Sequence, residues 1–418
     1  MMGNEKNKGT QKKGSPAEVR KGTQTKIWNS VFISIFLANM FLNLSKQMVN
    51  TLIAKYADVL GASSVMVGLV ASGFAITALL FKLISGPVND SMNRKYVLMF
   101  AALVMAFSYV GYGLSTSVQG LFAFRLVQGA GQAFTATVCL ALASDALPAE
   151  QFTAGIGYFS LGQVISQTIG PTVGLALVGA FGYRATFFIA AAVMAGSALM
   201  ATMVKTRDDT VRKKFHFSFR NIFAPEALLP AVMMALLSMA YACVSSFLVI
   251  YATDKGINQT SVGLYFTVYA VVMLFSRPFV GKLTDRYGLV RTFIPALGCY
   301  ALAFILISVS SSLPLLLTAA AISAFGYGTC QPAVQTLCMK CVPKERRGAA
   351  SSTNYVGDDI GNITGPLISG ALVTAFGYTA MWRLMIIPVA LVAALTLIFS
   401  GKIGRIEKQF IERNKSNG

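Results

Sequence analysis

Two adjacent carboxylates, Asp358 and Asp359, stand within a long apolar stretch, in Asn354-Tyr-Val-Gly-Asp358-Asp359-Ile-Gly-Asn362. The chain has sixteen Asp and Glu; six lie in the two tails and the central segment, and eight at the ends of apolar runs or in short loops. Only this pair lies deep. Counted from about residue 348 at a rise of about 1.5 Å per residue, it sits about 15 Å into a helix, near the centre of a bilayer core roughly 30 Å thick. A low dielectric disfavours the charged form of a carboxyl, and two neighbours titrate as a pair, so the site suits loading and unloading of protons. Asn354, Asp358 and Asn362 share one helix face, and a carboxylate with amide and hydroxyl oxygens would equally suit sodium. The bland alternative is a cap or packing role in a helix kinked near Gly357 and Gly361.

A second constellation is Arg125, Gln128 and Gln132, spaced three and four apart on one face of another apolar run. An arginine there keeps its charge and can hold a nearby carboxylate ionised, or release it on protonation; bonding to carbonyls alone is the structural alternative. A third is the stripe Asn39, Asn43, Lys46 or Gln47, and Asn50, also one face. Polar groups facing lipid are costly, so this stripe is expected to face a cavity or bond other helices, with Lys46 at about 28 Å along its helix able to snorkel to the outer surface.

The elements that must position these residues are membrane helices. The chain is 418 residues long, 55% hydrophobic and 12% charged. Apolar runs long enough to cross a bilayer recur near 27–50, 63–88, 96–114, 119–143, 152–180, 183–204, 226–251, 261–282, 290–310, 313–338, 348–375 and 380–401. Backbone groups in lipid must be bonded internally, so these twelve runs are expected to be helices. Residues 1–26 read as a disordered tail, 27–204 as a first six-helix half, 205–225 as a central loop, 226–401 as a second half and 402–418 as a second tail.

Lys and Arg number seven in residues 1–26, six in 205–220 and five in 402–418, and alternate short loops add more. The opposite loops hold only Lys55, Arg184, Lys255 and Arg383. By the positive-inside rule both termini are expected in the cytoplasm and the protein in the cell membrane, with the net charge of +19 drawn to anionic lipid. No basic patch is interleaved with stacking aromatics, which argues against nucleic acid. No cleavable signal is apparent. The six cysteines lie in spans or at inner helix ends and imply no disulfide framework; Cys338 and Cys341 lack the further ligands of a metal site, and no cofactor is expected.

The halves repeat. Gly86 and Gly281, Asp90 and Asp285, Gly170-Pro171 and Gly365-Pro366, and Phe181-Gly182-Tyr183 and Phe376-Gly377-Tyr378 all stand 195 positions apart, as do Pro148 with Pro343 and Glu150 with Glu345. Parallel repeats of this size are a recurring transporter plan. The repeat equates Asp358 with Gln163 and Asn362 with Gln167, so one half carries the titrating group.

The loop Gly86-Pro-Val-Asn-Asp90-Ser-Met-Asn-Arg94-Lys95 and its partner Gly281-Lys-Leu-Thr-Asp285-Arg286-Tyr-Gly288 resemble the G-x-x-x-D-x-x-G-R-K signature of the major facilitator superfamily, with Asn93 in place of the family's Gly. Arg125-Leu-Val-Gln128-Gly129-Ala-Gly131 is similar to its second motif, and Gly170-Pro171-Thr-Val-Gly174 to the motif of its drug–proton antiporters, although Leu175 stands where Gly is usual. With Gly365, Pro366 and Gly370 in the second half, these small residues and prolines would let helices pack closely and bend, sealing the outer side of a cavity. The resemblance implies an all-α membrane protein of twelve transmembrane helices in two pseudo-symmetric halves. It implies a conformational latch at Gly86, Asp90, Arg94, Lys95, Asp145, Gly281, Asp285 and Arg286, with Asp90 meeting the start of the eleventh span and Arg94 pairing with Asp145.

The function expected is proton-coupled export of a small amphipathic compound or drug by alternating access; proton-coupled uptake of a nutrient or metabolite by the same fold is the alternative. Asp358, Asp359 and Arg125 are the coupling candidates. Asn39, Asn43, Gln47, Gln128, Gln132, Gln163, Gln167, Tyr241, Tyr327, Gln331 and Gln335 are the cavity candidates, and their amides and phenols suit a polar or mixed cargo better than a strongly anionic one. An aspartyl-protease reading needs a second Asp on another span, and none lies outside 358–359, so no enzyme is expected.

Overall fold

The computed structural model describes residues 28–147, 152–204, 223–343 and 346–416. The expected tail 1–26, most of the central loop, and the landmarks Pro148, Glu150 and Glu345 lie outside the described residues. The elements are α1 (Ser30–Val59), α2 (Ser64–Ser91), α3 (Arg94–Leu114), α4 (Val118–Ala146), α5 (Phe152–Thr202), a short 3-10 turn (Pro225–Ala227), α6 (Leu228–Asp254), α7 (Gln259–Tyr287), α8 (Leu289–Val309), α9 (Leu313–Lys340), α10 (Arg347–Leu384), α11 (Ile386–Ile398) and α12 (Ser400–Ser416).

The sequence explains the boundaries. Asn29, Ser63, Asn93, Ser117 and Asn258 precede helices and each accepts a bond from a backbone N–H of the first turn. Ten stretches are long and apolar enough to cross a membrane; two of them, of 42 and 52 residues, are long enough to cross twice. The breaks are chemical. Gly182 (φ 78°) and Gly377 (φ 78°) adopt a left-handed φ that L side chains avoid, and each turns a continuous helical path back on itself. The ten stretches therefore make twelve crossings. A further break at Met385 follows from Pro388, which cannot donate to the carbonyl of Leu384.

The repeat is preserved element by element. Helices α2 and α7, α3 and α8, α4 and α9, and α5 and α10 begin 195 positions apart, as do the turn glycines Gly61 and Gly256 (both φ 82°). The departure of the first loop from the superfamily pattern has a physical account. Gly288 has φ 83°, whereas Asn93 at the equivalent place has φ −68° and caps α3 by accepting from the Lys95 N–H.

Two boundaries differ from the sequence expectation. The first span is not finished at residue 50: α1 runs to Val59, because Lys55 and Asp58 pair at 2.8 Å within the helix. Residues 402–418 are not simply a tail, since α12 is a helix that buries Ile403 against the ends of α8 and α9. Helix α1 packs on α5 and α3 on α4 and α5 in the first half, and α6 packs on α10 and α8 on α9 in the second. The halves meet where α2 runs along α10, α5 along α7 and α1 against α6.

Candidate functional site

Helix α10 is held close to α6 by small residues. A Cβ on Gly357 would meet the carbonyl oxygen of Ala231 at 2.3 Å, and one on Gly361 that of Ala235 at 2.4 Å. This approach brings Ser238 of α6 to Asp358, whose Oδ1 accepts from the Ser238 hydroxyl at 2.5 Å. Asn362 turns back and donates to the Asp358 carbonyl at 2.9 Å. Asp359 points the other way, across the boundary between the halves. Lys82 of α2 donates to both its carboxylate oxygens, at 2.8 and 2.5 Å. The Asp359 side chain is 10% exposed and that of Lys82 31%, so the pair is largely but not wholly dry. The Lys82 ammonium also stands 5.8 Å from the Tyr355 ring centre.

Lys46 completes the group. It lies midway along α1 and within electrostatic range of Lys82 and Asp358. The expectation that it snorkels to the outer surface is corrected: that reading rested on ending the helix at residue 50, and the outer end of α1 belongs instead to Lys55 and Asp58. Two ammonium groups and two carboxylates thus cluster between the halves.

Arg125 is placed elsewhere. Its Nη1 donates to Asn50 Oδ1 (3.1 Å) and Gln128 Oε1 (2.7 Å), its Nε to the Val70 carbonyl and its Nη2 to that of Ala71 (both 3.2 Å). It stacks over Phe74 at 4.4 Å and is only 2% exposed. Tyr112 donates to Gln128 Oε1 at 2.6 Å, and the Gln128 amide reaches Tyr109 and Gln132, both at 3.4 Å. Among the described residues Arg125 is bonded to amide and carbonyl oxygens and not to Asp358 or Asp359. The cation bonded to Asp359 is Lys82. An arginine with four such bonds ties α1, α2 and α4 together.

The cavity candidates divide. Asn43 donates to Asn39 Oδ1 and to its carbonyl, both at 2.9 Å, and the Asn39 amide nitrogen has no partner among the described residues. Tyr241 and Tyr327 stack at 4.5 Å with ring planes 6° apart, and both feel the charge of Asp358. Gln47, Gln132, Gln167, Gln331 and Gln335 are half-buried and Gln163 is exposed. Gln128 is fully buried in the Arg125 network rather than lining open space.

Lys82, Ser238 and Arg277 were not among the expected site residues. The repeat contained the signal: Lys82 and Arg277, each a base within an apolar run, are 195 positions apart, as are Asn43 and Ser238, and Lys46 and Tyr241. Arg277 lies near Tyr269 and Tyr327.

The halves are sealed at the face opposite the two chain termini. A Cβ on Gly68 of α2 would lie 2.2 Å from the Pro366 carbonyl oxygen of α10, and one on Gly370 would lie 2.3 Å from that of Ser64. Thr172 of α5 bonds the Thr267 hydroxyl at 2.6 Å and donates to the Gly263 carbonyl at 2.9 Å, and Gln259 donates to the Tyr183 hydroxyl at 2.8 Å. Gly170 and Gly174 instead seat α5 on α1, against Gln47 and Met48, and Gly365 seats α10 on Met239 of α6. At the face bearing the termini, Arg94 bonds Asp145 (2.6 Å), Lys95 bonds the Thr202 carbonyl (2.6 Å) and Arg346 bonds Glu226 (2.5 Å), each inside one half. Arg286 stacks on Tyr287. The side chains of Asp90 and Asp285, with Gly86, Pro87 and Gly281, lie outside the described residues.

The fold is shared with solved transporters, and the sequence is similar to that of known carriers. The chain is 29% identical over 342 residues to the multidrug resistance protein MdtG of Enterobacter lignolyticus, covering 78% of this chain and 79% of that protein. A crystal structure of a bacterial homologue of the human lysosomal transporter Spinster, inward-facing and occupied, superposes with a TM-score of 0.75 at 16% identity, covering 90% of this chain and 98% of the other. A crystal structure of the nucleoside transporter NupG gives 0.71 at 15% identity, covering 89% of this chain and 98% of the other. The sequence profile of the Major Facilitator Superfamily matches residues 35–251 and again 230–415, so with its twelve crossings in two repeated halves the chain belongs to that superfamily.

Proposed function

We propose that this protein exports a small amphipathic compound in exchange for protons, by alternating access, across the cell membrane. The similarity to proteins named for multidrug resistance supports export of drug-like cargo. The excess of Lys and Arg supports a cytoplasmic position for the face bearing the termini, and in that orientation a structure sealed at the opposite face is inward-facing.

The observation that carries the reading is the ion pair between Lys82 and Asp359, which joins the two halves inside the membrane. With Asp359 ionised, the pair holds α2 and α10 together. A proton on Asp359 removes the Coulomb attraction and leaves Lys82 free, so the halves can part along that seam. Asp358, bonded to Ser238 on the opposite side of α10, offers its carboxylate to a donor group on the cargo. Proton and cargo then compete for the same carboxylates, which is what exchange requires: a proton arriving from outside displaces cargo, and its loss to the cytoplasm restores the site. Tyr241, half-buried and backed by the buried ring of Tyr327, offers the apolar part of the cargo an aromatic surface.

The test is transport in proteoliposomes, with a panel of small amphipathic compounds and a pH gradient imposed in either direction. Accumulation driven by opposite proton movement supports the reading. Accumulation in the direction of proton movement would establish uptake instead, and dependence on a sodium gradient would replace the coupling ion.

A further inference from the structure

We propose that the corner between α11 and α12 is a binding site for the headgroup of an anionic glycerophospholipid. This site is separate from the charged cluster between the halves and does not depend on what is carried. The apolar run of α11 ends at Ile398, and the chain turns at Phe399 into α12. A groove of about 560 Å³ opens at that turn, lined by Ile398, Phe399, Lys402, Arg405, Ile406 and Gln409, with Gly401 at its edge. The lining divides by chemistry. Ile398 is 72% exposed, and such a side chain at the end of a membrane helix contacts acyl chains. Lys402, Arg405 and Gln409 follow within two to three helical turns and are exposed donors at the level where headgroups lie.

Charge makes the site selective. Among the described residues no carboxylate is paired with Lys402 or Arg405. Of the two acids on this helix, Glu407 is turned away: it accepts from the Leu289 N–H at 3.5 Å and lies 3.7 Å from Lys340, while the Glu412 side chain lies outside the described residues. Phe410, also on the inner face, stacks with Lys340 and Arg347, both 5.6 Å from its ring centre. The inner face of α12 is thereby fixed to α8, α9 and α10, and its outer face holds two adjacent cations over an apolar floor. An ammonium and a guanidinium side by side match a phosphate diester, the guanidinium through paired N–H donors. Exposed acyl-contacting residues beside them make a phospholipid a better fit than a free phosphate.

The test uses the full-length protein in detergent, with native mass spectrometry reading bound lipid as phosphatidylglycerol or phosphatidylcholine is added. We expect phosphatidylglycerol to bind at least fivefold more tightly than phosphatidylcholine. Lys402→Gln with Arg405→Gln should remove that preference, while the conservative Lys402→Arg should keep it. A control pair on other exposed bases at the same face, Lys282→Gln with Arg291→Gln, should change it less than twofold. Equal binding of the two lipids overturns the proposal, as does an equal loss in the control pair, which would mean diffuse attraction. Displacement of the lipid by millimolar inorganic phosphate would assign the site to a free anion and overturn it as well.

Discussion

Lys82 on α2 and Asp359 on α10 are 277 residues apart in sequence and make a two-pronged ion pair, 2.8 and 2.5 Å from ammonium to the two oxygens. Removing one member of a largely buried pair leaves the other charge uncompensated, at a cost of about 3–5 kcal/mol, whereas removing both is far milder. Lys82→Gln and Asp359→Asn should therefore each lower thermal stability more than the double variant does, and each should reduce uphill transport at least tenfold. Additive losses of stability in the double variant would mean that the pair is not formed in the membrane.

The seam at the face opposite the termini depends on glycine. A side chain at residue 68 would collide with the Pro366 carbonyl, which is backbone and cannot step aside. Gly68→Val should keep that face from closing. Spin labels in the α1–α2 and α6–α7 turns, one in each half at that face, should show a longer mean distance than in the parent protein. An unchanged distance would refute the role given to this contact.

Arg125 reads as a tie between helices. Arg125→Lys can keep the charge but not the four bonds, and should lower stability by about 1–3 kcal/mol as buried oxygens lose partners. Its overall rate should fall while the pH of half-maximal transport stays where it was. A displaced pH profile would return Arg125 to the coupling machinery.

The glycines that reverse the chain offer a symmetric pair. At Gly182 and Gly377 a Cβ would meet no atom within 4 Å, yet both have φ 78°. Gly182→Ala and Gly377→Ala should each cost about 1–2 kcal/mol through backbone strain alone. Similar melting shifts for the two are expected, and no shift in either would show that the turn can relax.

The fold was legible in the sequence because apolar run length and the 195-position repeat are global signals that survive local error. Asp358 and Asp359 were legible for a simpler reason: acids deep in a span are few enough to count. Lys82 was not, because it stands alone in its apolar run, without the spaced polar neighbours that mark Arg125 and Lys46; its equivalence with Arg277 was available in the same repeat. Lys46 was misplaced because Lys55 and Asp58 look like a loop in sequence, while in the structure they neutralise each other within the last turns of α1. The partners of Arg125 were beyond reach, since the carbonyls of Val70 and Ala71 carry no side-chain signature.

The central claim is that the carboxylates of α10 couple cargo movement to protons. An amide matches a carboxyl in shape but cannot exchange a proton. The direct measurement is accumulation of a transported compound in proteoliposomes containing the double variant Asp358→Asn, Asp359→Asn, under an imposed proton gradient. The account predicts that uphill accumulation is lost while exchange down the compound's own gradient persists. Uphill accumulation at the parent rate would contradict it.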